Sequence, residues 1–186
     1  LDVQPSVHIF ADGYYGVAAV EGFAARTFLG ATPTAAETGR AYAPFVGHGG
    51  TYTSQEERLS LSPLVAKDPA LMDGRTTLDH DLSWVDGDAW LTATTPNAGR
   101  VMTRLTPVSY EGDQLSPGEQ KLQGVWRRVE KVVDRGVEAG RHLETIQPGY
   151  YIFLDDKFVA NFVSAFAPRT PAPLEATEAE PGQVYG

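Results

Sequence analysis

The sequence contains no cysteine. This absence excludes disulfide bonds, thiolate metal sites and cysteine nucleophiles. A chain that folds without disulfides favours the cytoplasm as its compartment. Hydrophobic residues nevertheless make up 42% of the chain, which is typical of a globular domain with a core rather than of a disordered segment.

Positive charge is also scarce. Lys and Arg number 15 against 24 Asp and Glu, which gives a formal net charge of −9. An acidic chain repels phosphate groups, so we expect neither nucleic acid nor an anionic membrane surface as a partner. No apolar run reaches the roughly 18 residues that a membrane-spanning helix needs.

Motifs of the common catalytic and metal-binding families are missing as well. The sequence has no glycine-rich phosphate loop, no Gly-x-Ser-x-Gly elbow and no His-Glu-x-x-His pair. The four histidines, His8, His48, His80 and His142, are too scattered to show metal-ligand spacing. We therefore predict no metal and no cofactor. His48 is flanked by glycines, which favours a turn, with a ligand-binding loop as the alternative.

What the chain does contain is an internal repeat. Residues 3–43 align with residues 146–186 at a constant offset of 143, without a gap, and are identical at 15 of 41 positions. Asp12, for example, recurs as Asp155. A repeat of this strength indicates that one structural unit spans about 143 residues.

The repeat divides the chain into two incomplete units. We predict that residues 1–110 are the later part of a first unit and residues 120–186 the early part of a second. Residues 111–119, which are polar and contain Gly and Pro, are predicted to be the linker. Two arrangements remain open: the middle of a longer tandem protein, which we favour, or a permuted barrel in which residues 120–135 complete the first unit. In the permuted case residues 146–186 would need a partner chain, through strand swapping or homo-oligomerisation.

Short apolar stretches and turn signals at regular spacing predict an all-β chain that forms a barrel or a sandwich. Asp12-Gly13 and Asp86-Gly87 are two-residue hairpin signals. A short helix or loop insertion is expected at residues 33–43, where Thr34 followed by Glu37 fits a capping box. The predicted strands are 7–11, 14–23, 51–53, 58–61, 77–85, 89–94, 101–108, 122–133, 150–154 and 157–166.

A short motif, Gly124-Val125-Trp126, stands at the start of a predicted strand, and Arg104 lies in the strand before it. Three further segments belong to the same pattern: 50–53, 63–72 and 87–92. Together they resemble the bacterial lipocalin-like domain family of calycin-type barrels. In that family a Gly-x-Trp motif stands at the start of the first strand, its Trp plugs one end of the barrel, and an Arg from the last strand packs over the Trp. The resemblance implies a lipocalin-like β-barrel. Related barrels carry small ligands, and some are cofactor-free cyclases or isomerases, so the fold alone does not choose a function.

The two copies indicate which face of their hairpin points into the barrel. Inward and outward residues alternate along a barrel strand, and one face is apolar and aromatic in both copies. We predict that this face points inward and that the face with Lys157 and Asn161 points outward. The predicted inward residues are Tyr15, Val17, Ala19, Glu21 and Phe23 in the first copy and Phe158, Ala160, Phe162, Ser164 and Phe166 in the second.

An inward carboxylate beside an inward imidazole would suit proton transfer on an apolar substrate. Burial raises the pKa of a Glu and lowers that of a His, which brings both toward neutrality. Alternation also places His80 on the apolar side of its strand. The candidate catalytic residues are therefore Glu21, His80 and His8. The candidate ligand-binding residues are Tyr15, Phe23, Arg26, His48, Trp84, Trp90, Tyr151, Phe158 and Phe162. Each also has a structural interpretation, as core packing or as an ion pair between Glu21 and Arg26.

Three functions remain open. The one we favour is the binding of a small, largely apolar molecule in the barrel cavity. The second is a cofactor-independent isomerase, cyclase or lyase that acts on a hydrophobic natural product. The third is a structural barrel repeat without a ligand. The sequence does not decide whether the chain is an enzyme.

Overall fold

The computed structural model describes residues 6–22, 29–95, 99–108, 114–128, 132–134, 141–143 and 149–162. The strands in these ranges are β1 (Ser6–Ala11), β2 (Tyr14–Val20), β3 (Phe45–Gln55), β4 (Arg58–Ala66), β5 (Leu78–Val85), β6 (Asp88–Thr95), β7 (Gly99–Leu105), β8 (Gly124–Arg127), β9 (Val132–Asp134), β10 (Arg141–Leu143), β11 (Gly149–Leu154) and β12 (Lys157–Phe162). The helices are α1 (Ala35–Tyr42) and α2 (Pro117–Leu122), and a 3₁₀ turn spans Pro69–Met72.

The first seven strands form one antiparallel sheet in chain order, from β1 to β7. Two of its hairpins turn at the residues that the sequence indicates. Asp12 and Gly13 have φ angles of 49° and 78°, and Asp86 and Gly87 have φ angles of 53° and 87°. Two successive residues with positive φ give the turn whose twist matches that of the flanking strands. Both hairpin predictions are confirmed.

This sheet curls around a single core. The buried centre consists of Tyr15, Val17, Leu59, Leu61, Leu82 and Leu91. Phe10 on β1 and Leu105 on β7 both pack against it, although five strands lie between them in the sheet. A sheet whose first and last strands reach one core is strongly curved, as in a barrel. The prediction of an all-β, barrel-like fold is confirmed.

Strands β11 and β12 reproduce β1 and β2. The bounds of β1, shifted by the repeat offset of 143, are those of β11. Ser6 pairs with Ala19 in the first hairpin and Gly149 pairs with Phe162 in the second, which is the same register. Over these two hairpins, the internal repeat in the sequence is therefore also a repeat of structure.

The second hairpin packs against the outer face of the first. Ile9, Ile152 and Val159 form this second buried cluster. Gly16 and Gly49 face each other across β2 and β3 and leave room for it. A Cβ atom at Gly16 would lie 2.2 Å from Val159 Cγ1, and one at Gly49 would lie 2.6 Å from Asn161 Nδ2. Only glycine at these two positions permits the close approach of the second sheet.

This packing reverses the predicted orientation of the second copy. Val159 and Asn161 lie on the face that was predicted to point outward, yet they contact the first sheet. Phe158, predicted to point inward, is 61% exposed. In the described part of the chain, no strands equivalent to β3–β7 cover the aromatic face of β11 and β12. The opposite face is therefore the one that becomes buried.

Strand β8 adds to the second copy rather than to the first. It pairs with β11, in a three-stranded sheet of order β12-β11-β8. This is the pairing that a tandem arrangement requires, while the domain boundaries themselves stay a prediction. β9 and β10 pair separately as a two-stranded sheet.

Both α-helices begin with a capping box. At α1, Thr34 and Glu37 bond each other's backbone N–H as predicted. At α2, Ser116 and Glu119 do the same, so the end of the predicted linker is helical. The Ser-x-x-Glu pattern was the signal in the sequence that the linker prediction overlooked. In the described residues, neither helix is long and apolar enough to cross a membrane.

Candidate functional site

Tyr15 and Val17 lie on the concave face of the first sheet. Polar and apolar residues are arranged on this face in rows that run across the strands. Directly paired residues on neighbouring antiparallel strands share a face. His8 pairs with Val17, Val17 with His48, and His48 with Ala66, so two histidines lie in one row across four strands. Tyr15 lies on the same face in the adjacent row.

Tyr15 and His48 form the central polar contact of this face. The Tyr15 hydroxyl and His48 Nδ1 share a hydrogen bond of 3.0 Å, and the two ring centroids are 5.4 Å apart. Tyr15 is only 1% exposed, and its ring stacks on Phe10. Because burial penalises the phenolate, it raises the pKa of Tyr15 well above its usual range. Tyr15 is therefore a protonated hydrogen-bonding group and not a base.

His80 approaches the same cluster from β5. It pairs with Leu59, a residue of the buried core, and the curvature of the sheet brings its charge within range of both His8 and His48. His80 Nδ1 lies 3.1 Å from the carbonyl oxygen of Leu78. Since a carbonyl only accepts, Nδ1–H is the donor in this contact.

Burial sets the protonation of these histidines. It lowers the pKa of His48 to about 4, with smaller contributions from the charges of His8 and His80. Burial, followed by the charge of His80, also lowers the pKa of His8. His48 is accordingly neutral at pH 7. A neutral imidazole offers one hydrogen-bond donor and one acceptor.

The rest of the concave face is uncharged. No Asp, Glu, Lys or Arg occupies a described position of β1–β7 that shares a face with Tyr15 and Val17. In the same ranges, no group of three His, Asp or Glu side chains is placed to hold a metal ion. The face therefore offers hydrogen bonds from neutral groups within an apolar wall.

Glu21, the predicted catalytic carboxylate, does not join this cluster. Its side chain is exposed, and its backbone N–H donates to the carbonyl of Pro44. The predicted inward orientation is wrong because β2 ends at Val20, so the alternation of the strand no longer applies. Phe23 and Arg26, two further candidates, lie outside the described residues.

The two tryptophans predicted to line a pocket are not part of the buried core. Trp84 lies on the predicted face, the one that carries Leu82, but it is 66% exposed near the end of β5, which contradicts its interpretation as core packing. Trp90 lies on the convex face, where the guanidinium of Arg104 sits 5.9 Å from its ring centroid. Arg104 also pairs with the buried Asp88, a contact that sequence reasoning missed.

The expected packing of Arg104 over Trp126 is likewise not observed. Trp126 lies in the second sheet, exposed, and its indole N–H donates to the carbonyl of Leu122. The reason is that Arg104 lies in the seven-stranded sheet and Trp126 in the three-stranded sheet.

The remaining candidates lie together on the second sheet. Tyr151 stacks with Phe162 at 6.0 Å and with Phe153 at 6.4 Å, and Phe153 stacks with Phe158 at 5.9 Å. This aromatic face is separate from the Tyr15–His48 cluster, since the second sheet packs on the convex side of the first. The candidates from the two copies therefore do not form one site.

The sequence around His48 did not indicate the strand that places this residue in the site. Its glycine-flanked segment was interpreted as a turn, but β3 begins at Phe45 and runs through it. The glycines serve the contact with the second sheet and the bulge between Gly49 and Gly50. The approach of His8, His48 and His80 depends on long-range pairing, and no local pattern in the sequence signals it.

Comparison of the chain with protein-family models, curated proteins and solved structures finds no match. The interpretation of the site therefore depends on its geometry alone.

Proposed function

We propose that this protein binds a small, largely apolar, uncharged molecule against the concave face of β1–β7. The observation that carries this proposal is the Tyr15–His48 hydrogen bond inside an apolar wall, with His8 and His80 beside it. A ligand with one hydroxyl or carbonyl group could exchange hydrogen bonds with these side chains. The rest of such a ligand would contact leucine, valine and aromatic surface.

Binding is better supported than proton transfer. An acid–base catalyst works best when its pKa lies near the operating pH. Burial moves the pKa of His48 down to about 4 and that of Tyr15 upward, so both move away from neutrality. Glu21, the carboxylate on which the isomerase, cyclase or lyase hypothesis depended, is exposed. These features favour a binding protein over an enzyme.

The test uses two matched fluorescent probes, uncharged N-phenyl-1-naphthylamine and anionic 8-anilinonaphthalene-1-sulfonate. We expect saturable fluorescence enhancement with the uncharged probe and weaker binding of the sulfonate at pH 7, since the wall has no cation to pair with it. Ala19→Phe, which adds bulk to the concave wall, should abolish the enhancement.

The matched control is the double variant Phe158→Ser with Phe162→Ser, which removes exposed aromatic surface from the second sheet. It should leave the concave face and its probe binding unchanged. Binding that survives Ala19→Phe but disappears in the double variant would place the probe on the second sheet and contradict the proposal. The absence of binding would favour a structural barrel repeat instead.

A further inference from the structure

The two copies of the repeat differ in the strand pairing of β1 and its equivalent β11. In the second copy, β11 has a neighbour on each side, β12 and β8. In the first copy, β1 pairs with β2 and, among the described residues, has no strand on its other side. In the part of the chain that the structure describes, strand β7, at the far end of the same curled sheet, has β6 as its one partner.

We propose that the free edge of β1 is a docking site for an extended strand of the β8 type, with the sequence pattern Gly-x-Trp-Arg. The register follows from the repeat. β8 pairs with β11 at Phe153 with Gly124, Ile152 with Val125, Tyr151 with Trp126 and Tyr150 with Arg127. Shifted by 143, the equivalent positions on β1 are Phe10, Ile9, His8 and Val7. The incoming Gly, Val, Trp and Arg would face these residues in that order.

A second contact of β8 also has an equivalent in the first copy. Gln123, just before β8, accepts from the backbone N–H of Asp155 at 2.7 Å and donates to its carbonyl at 3.0 Å. Asp155 is the turn residue that the repeat matches with Asp12, and both have positive φ. The docked strand would therefore bring a glutamine to the turn at Asp12.

The free edge meets the physical conditions for strand addition. An unpaired edge exposes a row of N–H and C=O groups, and backbone hydrogen bonds then supply affinity while side chains set the register. Val7 is 42% exposed, and no charged residue of β1 blocks the edge. Strand addition would place the incoming Trp on the concave face beside His8. The proposal concerns this edge and does not depend on ligand binding.

The test adds a peptide of residues 122–130 (LQGVWRRVE), labelled with fluorescein, to the full chain. Fluorescence anisotropy should rise saturably to one peptide per chain. A scrambled peptide of the same composition controls for simple attraction of this cationic segment to a chain of net charge −9. A Trp126→Ser version of the peptide should bind at least about tenfold more weakly, since it loses the aromatic contact with the concave face.

A charge exchange at Val7 tests the register. Val7→Lys places a cation opposite the peptide's Arg, and Val7→Glu places an anion there. We expect the dissociation constant to be about fivefold higher for Val7→Lys than for Val7→Glu. An Arg127→Glu peptide should reverse that order. Circular dichroism of both variants checks that the exposed substitution leaves the fold intact.

Size-exclusion chromatography with light scattering identifies other occupants. A monomer that binds the peptide, or a dimer that the peptide dissociates, supports the proposal. A dimer that persists at a saturating peptide concentration overturns the proposal, because a different contact would then occupy the β1 edge. Equal binding of the native and scrambled peptides, or no binding by a folded monomer, also overturns it.

Discussion

Tyr15 and His48 show how one pair of residues sets the chemistry of a whole face. Both are polar, and both sit among leucine and valine side chains in the concave core. Each side chain is the hydrogen-bond partner of the other. Burying a polar group that has such a partner costs far less free energy than burying one that has none. The same burial that makes the pair necessary also keeps it neutral at pH 7.

The pKa of His48 predicts a pH dependence of stability. It is about 4 in the folded chain against an ordinary value of 6.5, so the unfolded chain binds the proton more tightly. The contribution of His48 to the free energy of unfolding is therefore fully present above pH 6.5 and is lost as the pH falls. We expect His48 to account for a loss of about 1.5 kcal/mol between pH 6.5 and pH 5, measured by urea unfolding. His8 contributes with the same sign.

The variant His48→Gln isolates this effect, because it retains hydrogen-bonding capacity but does not titrate. Its stability should change less between pH 6.5 and pH 5 than that of the native chain. The window stops at pH 5 because carboxylates with lowered pKa values, such as Glu37 and Asp73, lose their own contribution at more acidic pH. Identical slopes for the two proteins would contradict the assignment.

Strand β2 packs against other strands on both of its faces. Its Tyr15 and Val17 side chains point into the curled sheet, while Gly16 and Ala18 face β11 and β12. A strand buried on both faces cannot follow the polar-outside pattern of a strand with one solvated face. Its run Tyr-Tyr-Gly-Val-Ala-Ala-Val has no charged position, in agreement with that double burial.

Gly16→Ala tests the packing of the second hairpin. The new Cβ would lie 2.2 Å from Val159 Cγ1, so the hairpin must shift. We expect a loss of about 1 to 3 kcal/mol in the free energy of unfolding, measured with urea. Gly30→Ala is the matched control, because nothing lies within 4 Å of a Cβ there.

Val159→Ala in the Gly16→Ala background removes the obstructing methyl groups. It should recover part of the lost stability, although Val159→Ala alone is destabilising. Strictly additive losses would mean that the two residues do not touch. This double-mutant cycle therefore measures the contact between the two copies directly.

In the described residues, a curled seven-stranded sheet and a three-stranded sheet stack on one shared interface, and β1–β2 lie between the concave core and the second hairpin. Burial therefore decreases from β2, which has no exposed residue, to β7, whose residues are exposed up to Arg104.

This gradient predicts the pattern of hydrogen exchange. Backbone amides of β2 and β3 should exchange most slowly, because their exposure requires global opening, whereas those of β7 should exchange through local fraying. Mass spectrometry of peptides from 14–20 and 99–105 provides the comparison. Equal protection of β2 and β7 would mean that β7 has a neighbour beyond those described.

Local chemistry by itself determined much of this fold. The turns at Asp12-Gly13 and Asp86-Gly87 and the capping box at Thr34 could be predicted from neighbouring residues, because positive φ and helix capping act within a few positions. The repeat could be found by aligning the sequence with itself. Alternation also identified Tyr15 and Val17 as core residues. It failed for Glu21, where the strand ends. For Trp84 it identified the correct face of β5, but the side chain is exposed near the end of the strand.

Only the tertiary structure decided which faces meet. Alternation divides a strand into two faces, but which of them is buried depends on the sheet that packs there. In the first hairpin β3–β7 curl over the aromatic face, whereas in the second the opposite face packs on Gly16 and Gly49. The meeting of His8, His48 and His80 has the same origin. Their approach depends on the curvature of a sheet that spans many strands, which no local segment of the sequence encodes.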